Sequence, residues 1–157
     1  AYPKNIKFNP VTAVILNVRC NLKIKMVPLE IDNISLSDFR IKNISLGEDY
    51  DEMDIVSEGS VRISDLKKFE ETRIKIKNWE ELRVRKYVTQ NPFDNGDSIE
   101  IDWADNLETF DFIQELILKE ESRLILNGFS KESGAWLTYE FNNFEYEIQI
   151  KKASNTV

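Results

Sequence analysis

Arg73, Lys75 and Lys77 stand at alternate positions, and Arg83 and Arg85 repeat that spacing shortly afterwards. On an extended strand alternate side chains share one face, so each set makes a cationic strip. Guanidinium groups are planar forks that bind carboxylate or phosphate through two parallel hydrogen bonds, so the chemistry offered here is capture of an anionic ligand. The sequence predicts a hairpin of residues 73–78 and 82–88 around Trp79-Glu80-Glu81. Opposed like charges in such a hairpin are destabilising and need a counter-charge. Either a ligand supplies it or a neighbouring strand does, since Glu145 with Glu147, and Glu100 with Asp102, alternate in the same manner.

The run Gly47-Glu48-Asp49-Tyr50-Asp51-Glu52-Met53-Asp54 offers the opposite sign. It has five acids and no apolar periodicity, which predicts a solvated loop. Calcium is the first chemistry to test. An EF-hand loop needs glycine at its sixth position and glutamate at its twelfth, and counting from Asp49 those positions hold Asp54 and Ser60. No metal is expected. The run suits protein recognition instead, because carboxylates around an aromatic imitate a phosphate backbone toward a basic partner and the aromatic supplies a desolvated anchor. Glu48, Asp49, Tyr50, Asp51, Glu52 and Asp54, together with Trp79, are the candidate partner-binding residues.

A third grouping is Asp94, Asp97, Glu100, Asp102 and Asp105 around Trp103, where paired carboxylates could hydrolyse a glycoside and the indole could line a sugar site. Carboxylates at a turn and a helix cap are also ordinary local hydrogen-bonding groups. The 157 residues contain no histidine, which removes Ser-His and Cys-His nucleophile pairs and histidine metal sites. Cys20 is the only cysteine, so neither an intramolecular disulfide nor a thiolate zinc cluster can form. No catalytic residues and no cofactor are expected, and the chain reads as non-enzymatic.

The elements that must carry these groups are mostly strands. Val14, Leu16, Val18, Cys20, Leu22, Ile24 and Met26 alternate with polar residues, predicting a long strand that bends between sheets or wraps a barrel. Short strands follow at 31–36, 41–46 and 59–63, a turn at 91–98 around Pro92 and Asn95-Gly96, and a strand at 99–103. Asp105 as N-cap, Glu108 three residues on, and the apolar set Leu107, Phe110, Ile113 and Ile117 predict one long helix over 105–121. A three-stranded meander closes the chain, at 123–129, 135–141 and 144–151, its last two strands joined by an Asn142-Asn143 turn.

Asn33-Ile34-Ser35-Leu36-Ser37-Asp38-Phe39-Arg40-Ile41 resembles the strand-turn-strand segment of PilZ domains, small β-barrels that bind cyclic di-GMP. Asn33 and Ser35 fall on that family's Asp/Asn-x-Ser positions. Asp38 stands where the family has glycine, and Arg19 with Lys23 is the nearest approximation to its arginine pair. The resemblance implies a β-barrel and a nucleotide ligand.

Lys and Arg total 21 against 28 Asp and Glu, a net charge of -7, which repels nucleic acid and anionic membrane and favours a basic protein partner. The expected fold is one α+β domain over 1–157, mainly antiparallel β as a curved sheet or partly open barrel, with the long helix packed on the sheet. The expected function is a cytoplasmic, acidic inhibitor or immunity-type protein that neutralises a basic partner such as a nuclease toxin. The alternative is a PilZ-like regulatory domain holding a phosphorylated ligand on Arg73, Lys75, Lys77, Arg83 and Arg85, and a carboxylate hydrolase is a remote third.

Overall fold

The computed structural model describes residues 29–87 and 97–151. A 3-10 turn (Ile31–Asn33) leads into β1 (Ile34–Ser35), β2 (Ile41–Leu46), β3 (Glu52–Ser57), β4 (Ser60–Arg62), β5 (Lys67–Phe69), β6 (Thr72–Lys77), β7 (Glu81–Tyr87) and β8 (Ser98–Ile101). After a one-turn helix α1 (Trp103–Asn106) come β9 (Phe110–Lys119), β10 (Arg123–Ser130), β11 (Trp136–Asn142) and β12 (Glu145–Ile150). The strands form a five-stranded sheet in the order β8-β7-β11-β10-β9, a four-stranded sheet β12-β6-β3-β2 and a three-stranded sheet β1-β4-β5. Among the described residues every pairing is antiparallel and no sheet closes into a barrel.

Alternating apolar side chains make the two larger sheets pack face to face. Ile74, Ile76, Met53, Ile55, Tyr146 and Ile148 point inward from one, and Leu82, Val84, Leu124, Leu126, Leu137, Tyr139 and Phe141 from the other, in one buried cluster. Leu29, Ile31, Ile34 and Leu36 join the same cluster from the segment around β1. No helix among the described residues is long and apolar enough to cross a membrane.

The α+β expectation is overturned: among the described residues there is no long helix, and residues 110–119 are strand β9. The reason is a pair of irregularities in the β9–β10 ladder. Ser130, Gly128, Leu126 and Leu124 on β10 face Phe110, Ile113, Leu116 and Leu118 on β9, with the register shifting between Asn127 and Gly128 and again between Phe129 and Ser130. Each extra residue reverses which positions point inward, so apolar side chains fall three apart and imitate a helical stripe. Gly128 is what permits the close approach, because a Cβ there would lie 2.0 Å from the Phe112 carbonyl oxygen. Asp105 lies inside α1, whose Asn106 amide returns to Asp102 at 2.9 Å, and the helix ends there.

Two expected hairpins are also corrected. β6 pairs with β3 and β12, and β7 with β8 and β11, so residues 78–80 form a corner between sheets. Likewise β11 pairs with β7 and β10 while β12 pairs with β6, which makes Asn142-Asn143 a second corner. Short strands at 41–46 and 60–62 agree with expectation, whereas of residues 31–36 only Ile34–Ser35 is strand and Ile31–Asn33 is a 3-10 turn. The strand expected over residues 14–26, with Arg19, Cys20 and Lys23, and most of the turn at 91–98, with Asp94, lie outside the described residues.

Candidate functional site

The corners and turns at one end of the two packed sheets are stitched together by backbone hydrogen bonds. The Asn78 amide donates to the Asp51 carbonyl at 2.9 Å, the Glu80 amide to Asn142 at 2.8 Å, and the Asn143 amide to Ser122 at 2.7 Å. These bonds link the loops at 47–51, 78–80, 120–122 and 142–144 into one surface. Glu48, Asp49, Asp51, Glu80, Glu120 and Glu121 are all exposed on it, with Glu145 beside them. Glu48, Asp49, Asp51 and Glu120 form no ion pair among the described residues. Tyr50 projects from their midst with half of its surface, 50%, in solvent.

The backbone of this end is held in costly conformations. Tyr50, Asn78, Glu120, Glu121 and Asn143 all have positive φ, between 52° and 61°, and among the described residues Leu66 is the only other non-glycine that does. Asparagine tolerates that region, whereas Tyr and Glu do so at a cost of about 1 kcal/mol each. The turn at Glu120-Glu121 has both central residues left-handed, the geometry that Asn-Gly or Gly-Gly adopts most cheaply. Carboxylates occupy it instead.

The candidate residues divide on inspection. Glu48, Asp49, Tyr50 and Asp51 lie in the loop as expected, but Glu52 and Asp54 begin β3, facing outward from the four-stranded sheet. Glu52 binds Lys75 at 3.0 Å, which raises the lysine's pKa through that hydrogen bond, and Asp54 faces Lys75 in register. Trp79 turns inward, its ring edge-on to Trp103 with centroids 5.8 Å apart and tilted against Phe141 at 5.3 Å. It packs the corner and is not an exposed anchor. Glu80, Glu120, Glu121 and Glu145 join this surface without a sequence signal, because Glu-Glu is not a residue pair that marks a two-residue hairpin turn.

The cationic strips are split between opposite outer faces. Arg73, Lys75 and Lys77 lie on the four-stranded sheet, where Lys77 binds Glu147 at 2.9 Å; Arg73 is exposed, with no ion pair among the described residues. Arg83 and Arg85 lie on the five-stranded sheet. There Arg83 binds Glu100 at 2.7 Å, and Glu140, only 11% exposed, is held by Arg85 and Arg123, each at 2.9 Å. Neighbouring strands therefore supply most of the counter-charge.

Of the described carboxylates around Trp103, Glu100 is the one whose surroundings fix its proton affinity. The Arg83 hydrogen bond holds the Glu100 carboxyl below its ordinary value, the reverse of what proton donation at neutral pH needs. Trp103 donates its indole N–H to the Leu82 carbonyl at 2.8 Å. Among the described residues no group of three His, Cys, Asp or Glu side chains is arranged to hold a metal ion. The PilZ-like segment also has a local role: Asn33 caps the β4–β5 turn by accepting the Ser64 amide at 2.9 Å. The chain matches no protein-family model, no curated protein and no solved structure.

Proposed function

We propose that this chain is a non-enzymatic binding protein that neutralises a basic protein partner through its acidic end, in the manner of an inhibitor or immunity-type protein restraining a cationic toxin such as a nuclease. One observation carries the reading: Glu48, Asp49 and Asp51, which form no ion pair among the described residues, flank the exposed Tyr50 on loops tied together by main-chain hydrogen bonds, several of their residues held at positive φ. A rigid surface of one sign steers an oppositely charged partner and loses little entropy on binding it. The net charge of -7 acts in the same direction at long range. A cytoplasmic setting belongs to this reading, supported by a sequence whose single cysteine excludes an intramolecular disulfide.

The test is a titration of basic nucleases with the chain, reading residual nuclease activity and heat of binding. The triple variant Glu48→Gln, Asp49→Asn, Asp51→Asn is expected to bind at least ~10-fold more weakly, with the difference shrinking as salt rises from about 0.05 to 0.5 M. Equal affinity of the triple variant and the native chain for every basic protein that binds would overturn the reading. The paired change Arg83→Ala and Arg85→Ala is the control, because these residues lie on the outer sheet face and leave the acidic loops untouched.

A further inference from the structure

The β4–β5 hairpin carries the most exposed apolar side chains of the described residues on a turn that is locked in place. Leu66 is 75% exposed and Ile63 is 52% exposed, with Lys67 and Lys68 exposed directly after them. The turn cannot be taken for a loose loop. The Ser64 amide donates to Asn33 Oδ1 at 2.9 Å while Asn33 Nδ2 donates to Ser64 Oγ at 3.1 Å, and the Ile63 amide donates to the Asn33 carbonyl at 2.9 Å. Arg62, itself buried, grips both oxygens of Asp65 at 3.0 and 2.9 Å. That pairing neutralises the acid of the turn and leaves the lysines to set its sign. Phe69 lies under both Arg62 and Lys67, with the charges 5.3 and 5.5 Å from the ring centre. Leu66 has φ of 58°, so the chain places its most exposed leucine where glycine would be cheaper.

A preorganised apolar tip flanked by cations fits a receiving surface that is anionic and offers aromatic or apolar contact. This chain has such a surface in its own acidic end, where Glu48, Asp49 and Asp51 surround the half-exposed Tyr50. We infer that the β4–β5 tip of one copy docks on the acidic end of a second copy, lysines against carboxylates and Leu66 with Ile63 against Tyr50. The contact is heterologous, since different patches meet, and it generates head-to-tail chains or a ring and not a two-fold dimer. It rests on the same surface as the proposed function and adds regulation to it. Self-association covers the acidic loops, and a basic partner of higher affinity displaces the tip. A contact made by one hairpin tip is small, so the association is weak and screened by salt.

The test is sedimentation velocity of the native chain from about 0.01 to 1 mM at ~0.05 M salt, where the weight-average mass is expected to rise above that of the monomer and to return to it near 0.5 M salt. Leu66→Gly removes the apolar side chain at a backbone position glycine prefers, and Lys67→Glu with Lys68→Glu reverses the sign. Each is expected to cut self-association at least ~10-fold while leaving the far-ultraviolet spectrum unchanged and the affinity for a basic nuclease undiminished, since freeing the acidic loops and adding negative charge both favour that partner. The triple acidic variant is expected to lose both. A native chain that stays monomeric throughout overturns the inference and leaves the proposed function standing. Association that persists in Leu66→Gly and in the lysine reversal overturns it too, by showing that the copies meet elsewhere.

Discussion

The Glu80 amide donates to the Asn142 carbonyl at 2.8 Å, and Asn143 returns a bond from its side-chain Nδ2 to Glu80 Oε2 at 3.0 Å. These residues sit at the two corners where the chain leaves one sheet for the other, so the contact fixes how the sheets meet at the acidic end. Asn143→Ala removes the side-chain bond and puts a Cβ-bearing residue without asparagine's tolerance at φ 52°. The expected loss is about 1 to 2 kcal/mol in urea unfolding, with Asn143→Gly recovering part of it.

Gly128→Ala is expected to be the most damaging single methyl in the described residues. Its Cβ would stand 2.0 Å from the Phe112 carbonyl oxygen and 3.0 Å from the Ile113 Cα, both backbone atoms that cannot step aside. The expected cost exceeds about 3 kcal/mol. Gly134→Ala is the comparison, since its φ is +73° but nothing lies within 4 Å, and only the backbone cost of about 1 kcal/mol is expected. Equal urea midpoints for the two variants would contradict this account of β9.

Glu108 sets an acid-side limit on stability. Burial would raise its carboxyl, but Lys86 at 2.6 Å, Ser130 at 2.6 Å and Ser133 at 2.7 Å outweigh that and hold it below its ordinary 4.5. A carboxyl depressed in the folded state adds stability that is complete above its unfolded value and is lost as pH falls through the folded one. Glu108→Gln is therefore expected to lower stability by about 1 to 3 kcal/mol at pH 7 and by progressively less as pH falls below the ordinary 4.5, read from urea midpoints along a pH series.

The turn at Glu120 and Glu121 trades stability for charge. Glu120→Asn with Glu121→Gly gives it residues that accept positive φ, and the expected gain is about 1 kcal/mol in thermal or urea unfolding. The same variant is expected to bind a basic nuclease more weakly. A gain in stability with undiminished affinity would remove this turn from the binding surface.

Arg83 and Arg85 separate by what they neutralise. Arg83→Ala breaks an exposed pair with Glu100 and is expected to leave the unfolding midpoint within experimental error. Arg85→Ala leaves the poorly exposed Glu140 with Arg123 as its ion-pair partner and Arg83 across the ladder, at an expected cost of about 1 to 2 kcal/mol.

Local pattern was readable wherever the strand was regular. Ile74 and Ile76 face inward and Arg73, Lys75 and Lys77 outward as alternation requires, and the exposed loop of Glu48, Asp49, Tyr50 and Asp51 follows from its lack of periodicity. The counter-charges too were present in sequence, since Glu147 and Glu100 do reach Lys77 and Arg83. Alternation reports which face a residue occupies, but it carries no information about which strand lies alongside.

For that reason the sequence by itself determined a strand-rich, acidic chain without histidine, its charge strips and its exposed acidic loop. Only the tertiary structure decided that Trp79 and Asn142-Asn143 mark corners between sheets, because pairing β6 with β12 and β7 with β11 depends on contacts about 70 and 55 residues apart in sequence. It also decided the nature of residues 110–119, where extra residues opposite Gly128 and Ser130 reverse the inward face and lend a strand the spacing of a helix. And it tied the loops of Asp51, Glu80 and Ser122 to one another in succession, since main-chain hydrogen bonds between loops join residues that no local spacing relates.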